Sequence, residues 1–326
     1  MLEAILTVLR KNDKIKMLTF NTYKLVIKIC NIAPHLPIDA YDNNANELIK
    51  KYLKSDKPCM VCRFGENELR TAVAYLNMLK GVKTNIRGIL RMESFNLNEP
   101  RVINWMRDCA GFFPSNIKTL REFSKLYLND MKEVDILGCW LAKETRVRSY
   151  LPENLKTIDL GDLDPWNYEI PWTTVLQNKK VLVIHPFTET IKKQYKNREL
   201  IFKNKDILPE FELLTMQAVQ SAGGNKTKFN TWFDALDYMC GKIDKIDFDI
   251  ALIGAGAYGF SLAAHIKRIG KKSIHLGGVS QLLFGIKGNR WDGTDLADKL
   301  YNQYWVRPLP EETPQSANKV EGSTYW

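Results

Sequence analysis

The chain has 326 residues, enough to bury one large core or two modest ones, and its 45% hydrophobic and 26% charged content is ordinary for a globular protein. Its apolar runs are all shorter than the roughly 20 residues a transmembrane helix needs, which argues against a helical membrane span. A formal net charge of +10 suits anionic partners, but no basic run is interleaved with aromatics as in a nucleic-acid module, so nucleic acid is not expected among them.

Residues 1–33 set apolar positions such as Leu2, Ile5, Leu9, Leu18 and Leu25 between six cations, Arg10, Lys11, Lys14, Lys16, Lys24 and Lys28. A basic amphipathic helical element of this kind can lie on an anionic bilayer or pack on the domain or a partner chain. Pro34, Pro37 and the polar YDNNAN segment read as a linker, which makes residues 1–43 an N-terminal helical extension. The N-terminus shows no small-residue cleavage site after an apolar core. Six scattered cysteines, Cys30, Cys59, Cys62, Cys109, Cys139 and Cys240, fit free thiols of a reducing compartment, so a cytoplasmic location is expected.

From residue 44 to 306 helical and strand-like patterns alternate, the signature of an α/β layer architecture. Helical spacing over 46–53 precedes a strand over 58–64, in which Cys59 and Cys62 point to opposite sheet faces and read as core rather than as a metal or redox pair. A helix from about Glu66 to Lys80 follows. Where strand passes to helix stands RFGENE: Arg63, Gly65, then the carboxylates Glu66 and Glu68. Carboxylates two apart in an extended or turning backbone can converge on Mg²⁺ or Mn²⁺, with Arg63 beside them for phosphate. Acids at a helix N-terminus are equally favoured by the helix dipole alone.

Helices are expected around 100–109 and 118–131, and strands around 135–141 and 155–160. After the last of these comes an acidic, aromatic loop with Asp159, Asp162, Asp164, Trp166, Tyr168 and Trp172. It reads either as a saccharide pocket with a D-x-D pair or as an acidic turn over buried aromatics. The strand KKVLVIH ends at His185, where a parallel sheet faces its ligand crevice, and a helix is expected over 188–203. His185 can bind phosphate or move a proton there.

The strand-like FELLT and helical FNTWFDALDYM lead to DFDIALIGAGAYG, a buried strand running into a glycine turn with Gly254, Gly256 and Gly259 in G-x-G-x-x-G spacing and Tyr258 between them. Such a turn either cradles a diphosphate at the following helix or merely packs closely. A strand over 273–276 ends in Gly277 and Gly278, and Lys287, Arg290 and Trp291 follow in a second glycine-rich loop able to wrap a diphosphate. Residues 307–326 look like an extended surface tail ending in Tyr325 and Trp326, which pack or contact a ligand.

Taken together, RFGENE, VLVIHPF, WFDAL, DFDIALIGAGAYG, IHLGG and FGIKGNRW resemble the GT-D type glycosyltransferases over roughly residues 45 to 326. The resemblance implies a single Rossmann-like domain, a mostly parallel sheet with helices on both faces, and a nucleotide-sugar donor. It also implies a divalent cation at a D-x-E motif, here carried onto Glu66 and Glu68, with Arg63 and Gly65 matching its flank. Glu66 stands where that motif has aspartate, and Asn67 where it has glycine. The expected acceptor is a glycan or lipid-linked glycan of cell-surface polysaccharide synthesis. In the latter case residues 1–33 would act as a peripheral anchor at the inner face of the membrane. An acid such as Asp162 or Asp164 is the expected base for the acceptor hydroxyl. Two other readings stay open: an NAD(P)-dependent oxidoreductase using the GAGAYG turn, which lacks the ribose-binding acid expected about 20 residues on, and a non-catalytic nucleotide- or glycan-binding protein.

Overall fold

The computed structural model describes residues 35–82, 94–320 and 323–326. The expected basic extension at 1–33 lies outside them. Seven strands form one all-parallel sheet: β1 (Cys59–Cys62), β2 (Ile136–Cys139), β3 (Lys156–Asp159), β4 (Lys180–His185), β5 (Glu212–Gln217), β6 (Ile250–Ile253) and β7 (Lys272–His275), in the order β3-β2-β1-β7-β6-β4-β5. Nine α-helices surround them among the described residues: α1 (Asp42–Lys54), α2 (Glu66–Leu79), α3 (Pro100–Asp108), α4 (Ile117–Asp130), α5 (Thr188–Lys196), α6 (Arg198–Ile201), α7 (Trp232–Ile243), α8 (Tyr258–Arg268) and α9 (Asp295–Leu300). This is a Rossmann-like α/β fold.

Period-two side-chain direction divides the core between the two sheet faces. Met60, Cys62, Leu137, Leu182, Ile184, Ala251 and Ile253 pack with α2, α3, α4, α7 and α8. Cys59, Val61, Ile136, Val181, Val183, Ile250, Leu252 and Ile274 pack on the other face with α1, α5 and α9. The C-x-x-C pair is thus split between the faces, and burial pushes the Cys59 thiol up to about 12 and that of Cys62 upward as well. Neither is a ready metal ligand or redox group.

Several boundaries differ from the sequence reading. YDNNAN is no linker: Asp42 opens α1, whose buried Ala45, Ile49 and Leu53 seat it on the sheet. The helix after β4 stops at Lys196, and α6 resumes beyond Asn197. The 307–326 segment is not a loose surface tail, since Glu312 is 4% exposed and held by three donors on α5.

Connections from β1 step through β2 to β3 on one side, while β4 to β7 fill the other and bring β7 back beside β1. In an open parallel sheet the crevice forms at the carboxyl ends of the strands where the winding changes direction. The register aligns those ends: Cys62 pairs with His275, His275 with Ile253, and Ile253 with Ile184. Arg63, Leu276, Gly254 and His185 are therefore carried onto one rim.

Candidate functional site

A cavity of about 220 Å³ opens on that rim, lined by the Arg63 to Glu68 turn, Trp140, His185 to Phe187, the loop after β5, Gly254 to Tyr258, His275, Gly277, Gly278, Arg290, Tyr325 and Trp326. Of the residues singled out in the sequence, Arg63, Gly65, Glu66, Glu68, His185, Gly254, Gly256, Tyr258, Gly277, Gly278 and Arg290 all border it.

Arg63 has two close neighbours. Its guanidinium carbon lies 4.6 Å from the ring centre of Trp140, whose indole donates to the Phe64 carbonyl at 3.1 Å. Gly277, at φ +68°, stands close enough that a side chain there would come within 3.2 Å of the same guanidinium. Burial draws the Arg63 pKa below its ordinary value, with Glu68 opposing the shift. A guanidinium starts so high that it stays charged. The sequence reading missed Trp140, although it follows the last residue of β2 and so stands at a strand end, the same position that singled out His185.

The two carboxylates do not behave as expected. Both lie in the first turn of α2, where positions two apart diverge by roughly 200° around the axis instead of converging. Glu66 is ion-paired with Arg70, which is 5% exposed, and stands 3.9 Å from Lys143 Nζ. Glu68 folds back over Gly65 and neighbours Arg63. Each carboxylate thus already faces a guanidinium. Among the described residues no three or more His, Cys, Asp or Glu side chains gather in a way that could hold a metal ion. As a donor set, Glu66 and Glu68 in this arrangement do not fit a shared cation.

In the GAGAYG turn the glycines serve different ends. Gly254 and Gly259 leave no space for a side chain because Ser280 and His185 press on the first and His275 on the second. Gly256, at φ +53°, has only a backbone oxygen of Ala110 at 4.0 Å from where a side chain would begin. Its left-handed backbone, not crowding, is what favours glycine there. Tyr258 borders the cavity, and its side chain is also engaged within the fold. Its ring stacks on Trp232 at 4.9 Å, and its hydroxyl meets Ser221 Oγ at 3.2 Å, so it fastens the loop after β5 to α8. The N-cap of α8, Ala257, offers no side-chain cap, and no acid stands in the first turn. The partial positive charge of this helix start therefore has no counterpart from its own first turn.

His185 Nδ1 accepts the backbone N–H of Phe187 at 3.0 Å, which leaves the proton on Nε2 in the neutral ring. Burial lowers the pKa of His185 and of His275 to about 3. Both are neutral near pH 7, so His185 acts as an N–H donor and not as a cationic phosphate anchor.

Asp162 and Asp164 are absent from this cavity's lining, as are Trp166 and Trp172. Asp162 Oδ1 accepts from the Asp42 backbone N–H at 3.1 Å and from the Tyr168 hydroxyl at 2.8 Å, tying the loop after β3 to α1. Burial pushes the Asp164 carboxyl up to about 7, with Asp159 adding to the shift. Trp166 and Trp172 belong to the core, and the Trp172 indole donates to the Leu163 carbonyl at 3.0 Å. The acidic loop lies over buried aromatics, and Asp159, Asp162 and Tyr168 line a separate surface pocket with Asp42 and Asn43. Lys287 likewise lies over the Tyr301 ring at 5.4 Å instead of wrapping the cleft.

Arg290 brings a second cation to the rim, and Tyr325 and Trp326 stand in the wall of the cleft. Chemically, the cleft offers two arginines, an uncapped helix start, neutral N–H donors and a carboxylate beside Arg63, a set suited to a diphosphate. No protein family, curated protein or solved structure matches the chain.

Proposed function

We propose that the protein is a glycosyltransferase that binds a nucleotide-diphosphate sugar in this cleft and moves the sugar to a glycan hydroxyl. The observation that supports this reading is the meeting of Arg63, Arg290 and the uncapped start of α8 in one cleft with the Glu68 carboxylate beside Arg63. The diphosphate gains negative charge as its bond to the sugar breaks, and fixed cations and N–H donors stabilise that state more than the ground state. In this reading Arg63, beside Trp140 and Gly277, meets the departing phosphate, His185 adds a neutral donor, and Arg290 closes the rim. Glu68, in place of the remote Asp162 and Asp164, takes the proton of the acceptor hydroxyl. The glycan or lipid-linked nature of the acceptor is the part carried by the sequence resemblance.

A panel of nucleotide sugars, assayed for transfer and donor hydrolysis, tests the proposal. Turnover with one donor, lost in Arg63→Ala and Glu68→Gln, supports it. Nucleotide binding without turnover on any donor would leave a non-catalytic binding protein. A membrane contact through residues 1–33 is proposed on their charge alone: deleting them should weaken binding to anionic vesicles, and unchanged binding rejects it.

A further inference from the structure

Val320, Tyr325 and Trp326 line the cleft. The Glu312 carboxylate caps α5, accepting the Glu189 N–H at 2.7 Å, the Thr190 N–H at 3.1 Å and the Thr190 hydroxyl. The helix start after β4, which a parallel sheet would offer to a phosphate, is thereby filled by the chain's own carboxylate. From that anchor the chain is tied to the loop after β7: the Arg290 N–H donates to the Thr324 carbonyl at 3.0 Å, the Asn289 N–H to the Trp326 carbonyl at 3.3 Å, and the Gln281 amide to the Tyr325 carbonyl at 3.1 Å. The Trp326 indole in turn donates to the Glu312 carbonyl at 3.3 Å.

These bonds present two half-buried rings to the cavity. The Tyr325 ring lies against Gly278, where any side chain would displace it. Trp326 meets Phe187 edge-on at 6.1 Å and Tyr325 at 6.0 Å. The adjacent Gly277 and Gly278 abut Arg63 and Tyr325 respectively, so the aromatic wall adjoins the cationic part of the cleft. A ligand with an anionic part at Arg63 would bring whatever group follows its phosphates against a flat, apolar surface. The heteroaromatic ring of a nucleoside matches that surface, since every base has a face that stacks on an aromatic side chain.

We propose that Tyr325 and Trp326 form the nucleobase-binding wall of the cleft. The inference rests on the nucleotide-sugar reading and adds which residues hold the base. It also assigns Glu312, through its cap on α5, the role of positioning that wall.

The experiment compares two probes on the full chain, pyrophosphate and a panel of nucleoside diphosphates, by calorimetry. In the unsubstituted protein one or more nucleoside diphosphates should bind at least tenfold more tightly than pyrophosphate. Trp326→Ala should weaken that nucleoside diphosphate tenfold or more while leaving pyrophosphate within about twofold, and Trp326→Phe, which keeps a ring, should recover most of the loss. Equal weakening of both probes would mean that the wall only supports the fold, and no weakening of either that it touches no ligand; each result overturns the proposal. Pyrophosphate binding with no gain from any base overturns the base assignment and leaves the phosphate site standing. Binding of neither probe removes the nucleotide-sugar reading as well.

Discussion

The guanidinium of Arg70 forms an ion pair with the carboxylate of Glu66, one helical turn back along α2, and lies 4.2 Å from the ring centre of Trp105. Arg70 is 5% exposed, so the carboxylate offsets a charge that has left water. Glu66→Gln should therefore destabilise the protein by about 1–2 kcal/mol, less than a fully buried pair would cost because the Glu66 side chain is 43% exposed. Thermal melts in chelator-containing buffer check this. A residue whose role was to ligate a cation would show no change there, and an unchanged melting temperature would reject the ion-pair role.

The same geometry bears on metal dependence. With Glu66 committed to Arg70 and Glu68 beside Arg63, the proposed reading has the charge of a diphosphate met by arginines and the α8 start. Glycosyl transfer should persist in excess chelator and rise less than twofold on adding Mn²⁺ or Mg²⁺. Loss of turnover in chelator with recovery on Mn²⁺ would show that the carboxylates rearrange around a cation when substrate is bound.

How much of this was legible in the sequence depends on what kind of signal each residue carries. The strands announced themselves because runs such as Ile250 to Ile253 are buried on both faces and read as continuous apolar stretches. Residues at their ends, Arg63, His185 and Gly254, could be placed on the rim from strand ends alone. Asp162 and Asp164 could not: an acidic, aromatic setting carries no position relative to the rim, and only the fold shows them outside this cleft's lining, with Asp162 bound to Asp42 and Tyr168. Glu66 and Glu68 misled for a related reason, since convergence at spacing two requires extended backbone and both carboxylates already lie in the first helical turn. The Glu312 cap joins residues 122 positions apart, a relation with no local pattern at all.

Arg63 depends on Trp140 for its orientation. Arg63→Lys keeps the charge but loses the planar stack and the forked donors, so nucleoside diphosphate binding should weaken tenfold or more. Trp140→Leu should weaken it less, because the guanidinium itself, with its forked donors, is retained. Titration calorimetry on both variants checks the order, and equal binding by the lysine variant would remove Arg63 from the phosphate site.

Glu144 gives a pH signature. Its carboxylate accepts the N–H groups of Trp140 and Leu141, each at 3.1 Å, yet burial still pushes its pKa up to about 7. Between the ordinary carboxylate range and pH 7 the folded protein holds a proton that the unfolded chain releases. Stability from this group is therefore present at the acid end of that window and lost as pH rises through it, by ~3 kcal/mol at most. His185 and His275, lowered to about 3, act in the opposite direction below roughly pH 6.5, because the unfolded chain takes up protons there that the folded one refuses. Chemical denaturation from pH 5 to 8 should show the native protein losing stability relative to Glu144→Gln as pH rises. The difference cancels the histidine contribution, and parallel curves would exclude a raised Glu144.

Glu312 couples the stability of α5 to the shape of the cleft. Glu312→Gln retains an acceptor oxygen but gives up the charge at the helix start, and Glu312→Ala gives up both, leaving the Glu189 and Thr190 N–H groups uncapped. The expected losses are about 1 kcal/mol for the glutamine and about 2 kcal/mol for the alanine, read from denaturant midpoints at constant slope. Because the Trp326 indole hangs on the Glu312 carbonyl, freeing this segment should also loosen the aromatic wall. Proteolysis within 313–326 should accelerate in the alanine variant before global unfolding begins, and a bound nucleoside diphosphate should slow it again by holding the wall in place. Cleavage that tracks only global unfolding, with no effect of nucleotide, would separate the cap from the cleft and confine Glu312 to a local role in α5.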